Sequence, residues 1–142
     1  MEPRTAPSLN PHFALVGGQE AVDRIVDEFY RLMDTLPEAA AIRAMHEPDL
    51  GPTKAVLKKY LSEWLGGPKT YSAERGHPRL RMRHAAFGIG PAERDAWLLC
   101  MKGALESVVT DGVLRAQLMQ AFFKTADWLR NDPQGNPHDN HR

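Results

Sequence analysis

Glycine and proline residues divide this sequence into apolar segments that repeat with the period of an α-helix. In the first long segment, Val22, Ile25, Val26, Phe29 and Met33 recur at helical intervals. Such spacing puts apolar side chains on one helix face, and alternating strand-like runs are absent from the sequence. Gly–Gly and Gly–Pro pairs separate the segments, and these residues end helices. We therefore predict an all-α chain of about six helices of unequal length.

The glycine and proline residues in the first half of the chain predict where helices begin and end. The pair Gly17–Gly18 precedes the first long helix, Pro37 begins a short helix, and Pro52 suits the first turn of the next. The glycines and proline at 66–68 end that helix. We expect irregular chain over residues 66–78.

In the second half, residues 79–86 are basic and span about two helical turns. A long helix is expected after Gly90–Pro91, with Trp97 on its apolar face. Residues 111–130 are predicted to form the last helix, whose inward-facing side chains are Val113, Leu114, Leu118, Met119, Phe122, Phe123, Ala126 and Leu129. Helices broken by glycine and proline can cross at steep angles, which favours globin-like packing over a regular four-helix bundle.

Composition limits the partners and the compartment of the protein. The chain has 142 residues, equal numbers of basic and acidic side chains, and one cysteine. A neutral chain lacks the basic surface of a general nucleic-acid binder, and one cysteine cannot form an internal disulfide. Neither a signal peptide nor a membrane span is apparent. We predict one cytoplasmic domain with a folded core over residues 12–131 and flexible ends at 1–11 and 132–142.

Common catalytic motifs are missing, so attention falls on single residues. Cys100 lies on an apolar helix face and is expected to be a core residue, not a nucleophile. His84 follows three arginines in the segment RLRMRH. Taken alone, such a histidine is a surface or capping residue. It is also suited to bind haem iron, because the carbonyl of Leu80 can hold its second ring nitrogen.

A longer motif resembles a known family. The stretch GGPKTYSAERGHPRLRMRHAAFGIGPAERDAWLLCM, residues 66–101, is similar to the signature of group II truncated haemoglobins. Upstream, VGG, FY and the W-GGP turn occur in the order seen in that family, so the resemblance covers residues 12–131. It implies a shortened globin fold, in which two helices stack over two others around a haem b group.

The resemblance also implies roles for residues around the iron. The histidine of the R-M-R-H motif, His84, corresponds to the proximal iron ligand. The tyrosine of the F-Y pair, Tyr30, and the tryptophan of R-D-A-W, Trp97, correspond to the distal ligand pocket. Three further distal positions are His46, Thr53 and Leu57. Because HEPDL is one residue shorter than the corresponding stretch of several relatives, Met45 remains an alternative to His46.

Further positions are expected to contact the haem ring or its propionates. They are Tyr60, Leu61, Tyr71, His77, Arg81 and Phe87. One departure concerns Val56, which stands where relatives often have a basic residue that binds a propionate. Lys58, Arg81 or Tyr71 is expected to replace that residue. The arginines around His84 suit the same task, since guanidinium groups bind carboxylates well.

Three functions remain open from the sequence. The first is a haem protein that reversibly binds O2, as well as NO and CO, with hydrogen bonds from Tyr30 and Trp97. The second is a haem enzyme that consumes NO or peroxide and receives electrons from a separate reductase. The third is a helical interaction module without a cofactor. We expect a monomer or a homodimer, with neither nucleic acid nor membrane as a partner.

Overall fold

The computed structural model describes residues 11–76 and 88–129 of the chain. Within these ranges there are seven α-helices and one 3₁₀ turn, and no β-strand. The helices are α1 (His12–Val16), α2 (Gly18–Thr35), α3 (Ala40–Ala44), α4 (Gly51–Trp64), α5 (Thr70–Arg75), α6 (Pro91–Val108) and α7 (Gly112–Trp128), and the 3₁₀ turn is Pro37–Ala39. The all-α prediction is confirmed.

Helix α2 forms the centre of the fold. Its apolar face, including Val22, Ile25, Val26, Phe29 and Met33, is almost completely buried. The helix packs against α4 on one side and α6 on the other, while α6 also packs against α7. The pairs α2–α4 and α6–α7 therefore form the two layers of a two-over-two helical sandwich. None of the described helices is both long and apolar enough to cross a lipid bilayer.

Two glycines allow close approaches that other residues would obstruct. Gly17 ends α1 with a φ of 121°, a left-handed conformation that costs glycine little. Gly103 of α6 faces α2, and a Cβ atom there would lie 2.6 Å from the Cδ1 atom of Leu32. These glycines set the break before α2 and the close contact of α2 with α6.

Two predictions about elements are wrong. Residues 66–78 were expected to be irregular, but Thr70–Arg75 form α5. Both the backbone N–H and the hydroxyl of Ser72 donate to the carboxylate of Glu63 in α4, and this tertiary contact holds the short helix.

The second wrong prediction concerns the inward face of α7. Val113 and Phe123 are exposed, at 69% and 45%, because the buried positions are Leu114, Leu118 and Phe122, four residues apart.

Candidate functional site

A cavity of about 510 Å³ lies between the two layers. Its walls come from α2, from residues 42–47, from α4, from the start of α6 and from the end of α7. The described residues that line it are Tyr30, Ile42, Met45, His46, Glu47, Thr53, Leu57, Tyr60, Leu61, Trp64, Ile89, Glu93, Arg94, Trp97, Met101, Phe122, Thr125, Ala126 and Leu129. Aliphatic and aromatic side chains dominate this set.

Tyr30 brings a buried phenol to the cavity wall from α2. The residue is 4% exposed, and its ring makes an edge contact with Phe29 at a centroid distance of 4.9 Å. Burial raises the pKa of Tyr30 far above its usual value, so the phenol keeps its proton. Within residues 11–76 and 88–129, the hydroxyl has no hydrogen-bond partner. A neutral donor is therefore available to a molecule inside the cavity.

Trp97 brings a second donor from α6. Its ring lies 5.1 Å from Phe29 and 5.7 Å from Phe122, measured between centroids. The beginning of α6 is fixed by Pro91 and by the Glu93 carboxylate, which accepts from the Gly90 N–H at 2.7 Å. Among the described residues, nothing accepts from the indole N–H. An indole donates but does not accept, so this donor too suits a polar ligand in the cavity.

Both residues that competed for one distal position, Met45 and His46, line the cavity. The His46 ring makes an edge contact with Tyr30 at 5.9 Å between centroids. Its Nδ1 atom lies 2.8 Å from the carbonyl oxygen of Ile42. Since a carbonyl only accepts, Nδ1 carries the proton in this arrangement. In neutral His46 the Nε2 atom is then an acceptor.

Helix α4 supplies Thr53, Leu57, Tyr60 and Leu61 to the cavity wall. Burial, with smaller contributions from Tyr71 and Glu63, raises the pKa of Tyr60 to about 12. Tyr71 is buried behind Tyr60 at 5.5 Å between centroids, outside the cavity wall.

Lys58, one of the three residues expected to replace the missing basic residue on α4, makes an ion pair with α2. The ammonium group of Lys58 lies 3.1 Å from a carboxylate oxygen of Asp27 in α2. Four other predicted contacts, His77, Arg81, His84 and Phe87, lie outside the described residues.

Apart from Trp97, the sequence did not indicate the part of the wall formed by α6 and α7. Arg94 lines the cavity there, donates to Asp127 at 2.8 Å and lies over the ring of Phe123 at 5.2 Å. From α7, the wall takes Phe122, Thr125 and Ala126, and Leu129 follows directly after the helix. The helical spacing of these α7 residues was visible in the sequence, but it indicated only burial.

The described walls fit a haem. The volume lies within the range of about 300–1,000 Å³ usual for ligand sites. A haem is a flat, largely apolar ring, and this cavity offers it mainly apolar side chains and a few polar ones. Two donors without described partners, the buried Tyr30 and the partly buried Trp97, are what a polar ligand on such a ring requires.

Comparisons with known proteins agree with this geometry. The family model described as bacterial-like globin matches residues 12–131. The chain is 36% identical over 127 residues to the group 2 truncated hemoglobin YjbI of Bacillus subtilis, covering 89% of this chain and 93% of that protein. Among solved structures, the group II 2-on-2 hemoglobin of Agrobacterium tumefaciens superposes with a TM-score of 0.83 at 39% identity, over 93% of this chain and 99% of that one.

A second similar structure is the cold-adapted truncated hemoglobin of Pseudoalteromonas haloplanktis, with a TM-score of 0.84 and 35% identity. The match covers 86% of this chain and 98% of that one. The chain belongs to the bacterial-like globin family, within the group II truncated haemoglobins, and as a globin it is a haem protein for small diatomic ligands.

Proposed function

We propose that the protein binds O2 reversibly on haem b, with His84 as the proximal ligand and with Tyr30 and Trp97 as distal donors. The observation that supports this proposal is the pair of donors on one apolar cavity, the buried Tyr30 and the partly buried Trp97, each without a hydrogen-bond partner in the described residues. Buried donors are nearly always paired in folded proteins. Within the described residues Tyr30 departs from that rule, and a polar ligand in the cavity would accept from it and from Trp97.

The haem supplies the iron to which the diatomic ligand binds. The surrounding side chains then determine how firmly that ligand is held. The hydroxyl of Tyr30 and the indole N–H of Trp97 can each donate to a ligand atom that gains negative charge. A hydrogen bond to a charged acceptor contributes about 1.5–3 kcal/mol. Each such bond slows ligand release by roughly tenfold or more, since about 1.4 kcal/mol corresponds to a factor of ten.

His46 is expected to play a different part from these donors. With Nδ1 donating to the Ile42 carbonyl, the neutral ring turns an acceptor to its other side. It therefore cannot donate to a ligand in its neutral form. The hydroxyl of Thr53, also on the cavity wall, is a third possible donor.

The first experiment is to express the protein and record its absorption spectrum with and without O2. A Soret band that shifts reversibly on oxygenation of the ferrous protein is the expected result, and the pyridine haemochrome spectrum identifies the haem type. A protein purified with haem supplied, yet without a Soret band, would contradict the proposal. Sustained consumption of NO or peroxide with a reductant, without a stable oxygenated form, would replace it by the enzyme function.

A further inference from the structure

His46 lies between the cavity and a second pocket at the surface. This outer pocket, which we call the vestibule, has a volume of about 450 Å³ and is formed by the end of α2, the 3₁₀ turn, α3 and Pro48. Of the residues that the structure describes, His46 alone lines both spaces. Met33, Leu36 and Ala44 give the vestibule apolar walls. Apolar walls suit small uncharged gases, as dry apolar cavities in proteins do.

The backbone on both sides of His46 is held in place. Arg43 donates to the Asp34 carboxylate at 2.7 Å, and to the carbonyls of Glu47 and Pro48 at 3.0 Å each. These bonds attach the chain after His46 to the end of α2. The imidazole itself is held by one hydrogen bond, to Ile42. Movement at this point therefore requires a change of side-chain rotamer, without opening of the loop.

The opposite end of the cavity is closed more firmly. There Arg94 bonds to Asp127 of α7 and to Asp95, and its guanidinium covers the ring of Phe123. Moving α7 away from α6 there would break the ion pair of Arg94 with Asp127 and its contact with the Phe123 ring. Turning His46 breaks one hydrogen bond and one edge contact with Tyr30.

We propose that the His46 side chain is the gate through which diatomic ligands pass from the vestibule into the cavity, beside Tyr30. This inference assumes that haem occupies the cavity, as proposed above. In the closed position seen here, Nδ1 donates to the Ile42 carbonyl and the ring separates the two spaces. Rotation of the ring away from Ile42 joins them. In this role His46 controls the rate at which ligands enter the cavity, in addition to any contact that it makes with a bound ligand.

The test is flash photolysis of the CO form of the whole protein. Ala44 lines the vestibule and is exposed, whereas Ala41, on the same helix, is exposed and does not line it. Ala44→Trp should slow bimolecular CO binding by roughly tenfold, equivalent to about 1.4 kcal/mol in the barrier. Ala41→Trp should leave the rate unchanged. His46→Ala should speed binding and lower the fraction of CO that recombines from within the protein.

The CO stretching frequency keeps the interpretation specific. It should be the same in wild type and in both tryptophan variants, because neither changes the inside of the cavity. If Ala44→Trp and Ala41→Trp bind CO at the same rate, the vestibule is not the route and the proposal is wrong. If His46→Ala alone changes the rate, His46 acts on the ligand inside and the gate is equally excluded. Absence of a Soret band in the wild type would instead contradict the proposed haem function.

Discussion

At the scale of single residues, the unpaired donors of Tyr30 and Trp97 lower the stability of the fold but are available to bind a ligand. A buried donor that loses its water without gaining a partner costs about 1–3 kcal/mol. Tyr30 bears this cost toward the cavity, within the part of the chain that the structure describes, and the partly buried Trp97 bears less of it. Their rings pack on Phe29, so the positions of the two polar atoms are fixed before any ligand arrives. Preorganised donors lose little entropy when the ligand binds.

The indole N–H of Trp97 can be removed with little change in packing. Trp97→Phe keeps an aromatic ring between Phe29 and Phe122, so the cavity wall remains apolar. We expect O2 to dissociate roughly tenfold faster or more, because one hydrogen bond of about 1.4 kcal/mol or above is lost. Stopped-flow displacement of O2 by CO measures this rate. Trp128→Phe, at an exposed tryptophan outside the cavity wall, is the control.

If O2 dissociates from Trp97→Phe within about twofold of the wild-type rate, the barrier has changed by less than about half a kcal/mol, and Trp97 contributes packing alone.

The contribution of Tyr30 should depend on whether Trp97 is present. When Tyr30→Phe removes the hydroxyl, the donors of Trp97 and Thr53 can move toward the ligand, since both line the same cavity. Groups in one network do not contribute additively. We expect Tyr30→Phe to speed O2 release less in the wild type than in the Trp97→Phe background. A double-mutant cycle of dissociation rates measures this coupling, and strictly additive effects would show that the two donors act independently.

At the scale of helices, local signals explain most boundaries and fail where a tertiary contact decides. The Gly17–Gly18 break and the helix starts near Pro52 and Pro91 were predictable, because glycine and proline restrict the backbone directly. Helix α5 was not predictable. Six residues are too few to be helical alone, and the stabilising partner, Glu63, belongs to another helix.

Removing the Glu63 carboxylate should therefore unfold α5 locally. Glu63→Ala leaves both polar groups of Ser72 without their acceptor, and we expect a loss of about 1–3 kcal/mol in the free energy of unfolding. Hydrogen exchange should become faster over residues 70–75 and stay unchanged in α2. The control is Glu74→Ala, which breaks an exposed ion pair with Lys59 and should cost about 0–1 kcal/mol. If the amides of α5 are equally protected from hydrogen exchange in both variants, Glu63 does not hold this helix.

At the scale of the whole molecule, the fold was predictable while part of the site was not. The apolar helix faces specify which sides meet, and the order of motifs along residues 66–101 indicated the family. The sequence did not predict that Arg94 and Thr125 line the cavity, because polar side chains near a helix end are normally expected to face solvent. Only the docking of α7 on α6 brings them to the cavity.

Burial of the cavity phenols links the stability of the protein to alkaline pH. The pKa of Tyr60 rises from 10.0 to about 12, and that of Tyr30 rises further in the same direction. The folded state thus holds phenol protons that the unfolded chain releases above about pH 10. Stability should be intact below pH 10.0 and should fall as the pH rises through about 12. Tyr60→Phe should flatten this decline.

Urea unfolding of the haem-free protein at several alkaline pH values measures the effect. Identical pH dependence in Tyr60→Phe and wild type would mean that Tyr60 does not contribute to it.

Haem should also determine the stability of the whole molecule, through His84. The cavity of about 510 Å³ exists only in the folded protein, and a ligand that binds only the folded state stabilises that state by mass action. If His84 holds the iron, His84→Gly should lose haem much faster than wild type and melt at a lower temperature when haem is supplied. Added imidazole should restore part of the Soret band by taking the vacated position.

His12→Gly, in α1 and away from the cavity wall, is the control for haem retention. Haem loss and absorption spectra are followed in the presence of a haem-scavenging apoprotein. Because the unfolding of haem-free His84→Gly should match that of haem-free wild type, a difference confined to the haem-loaded forms identifies iron ligation, and an unchanged spectrum and retention in His84→Gly would refute it.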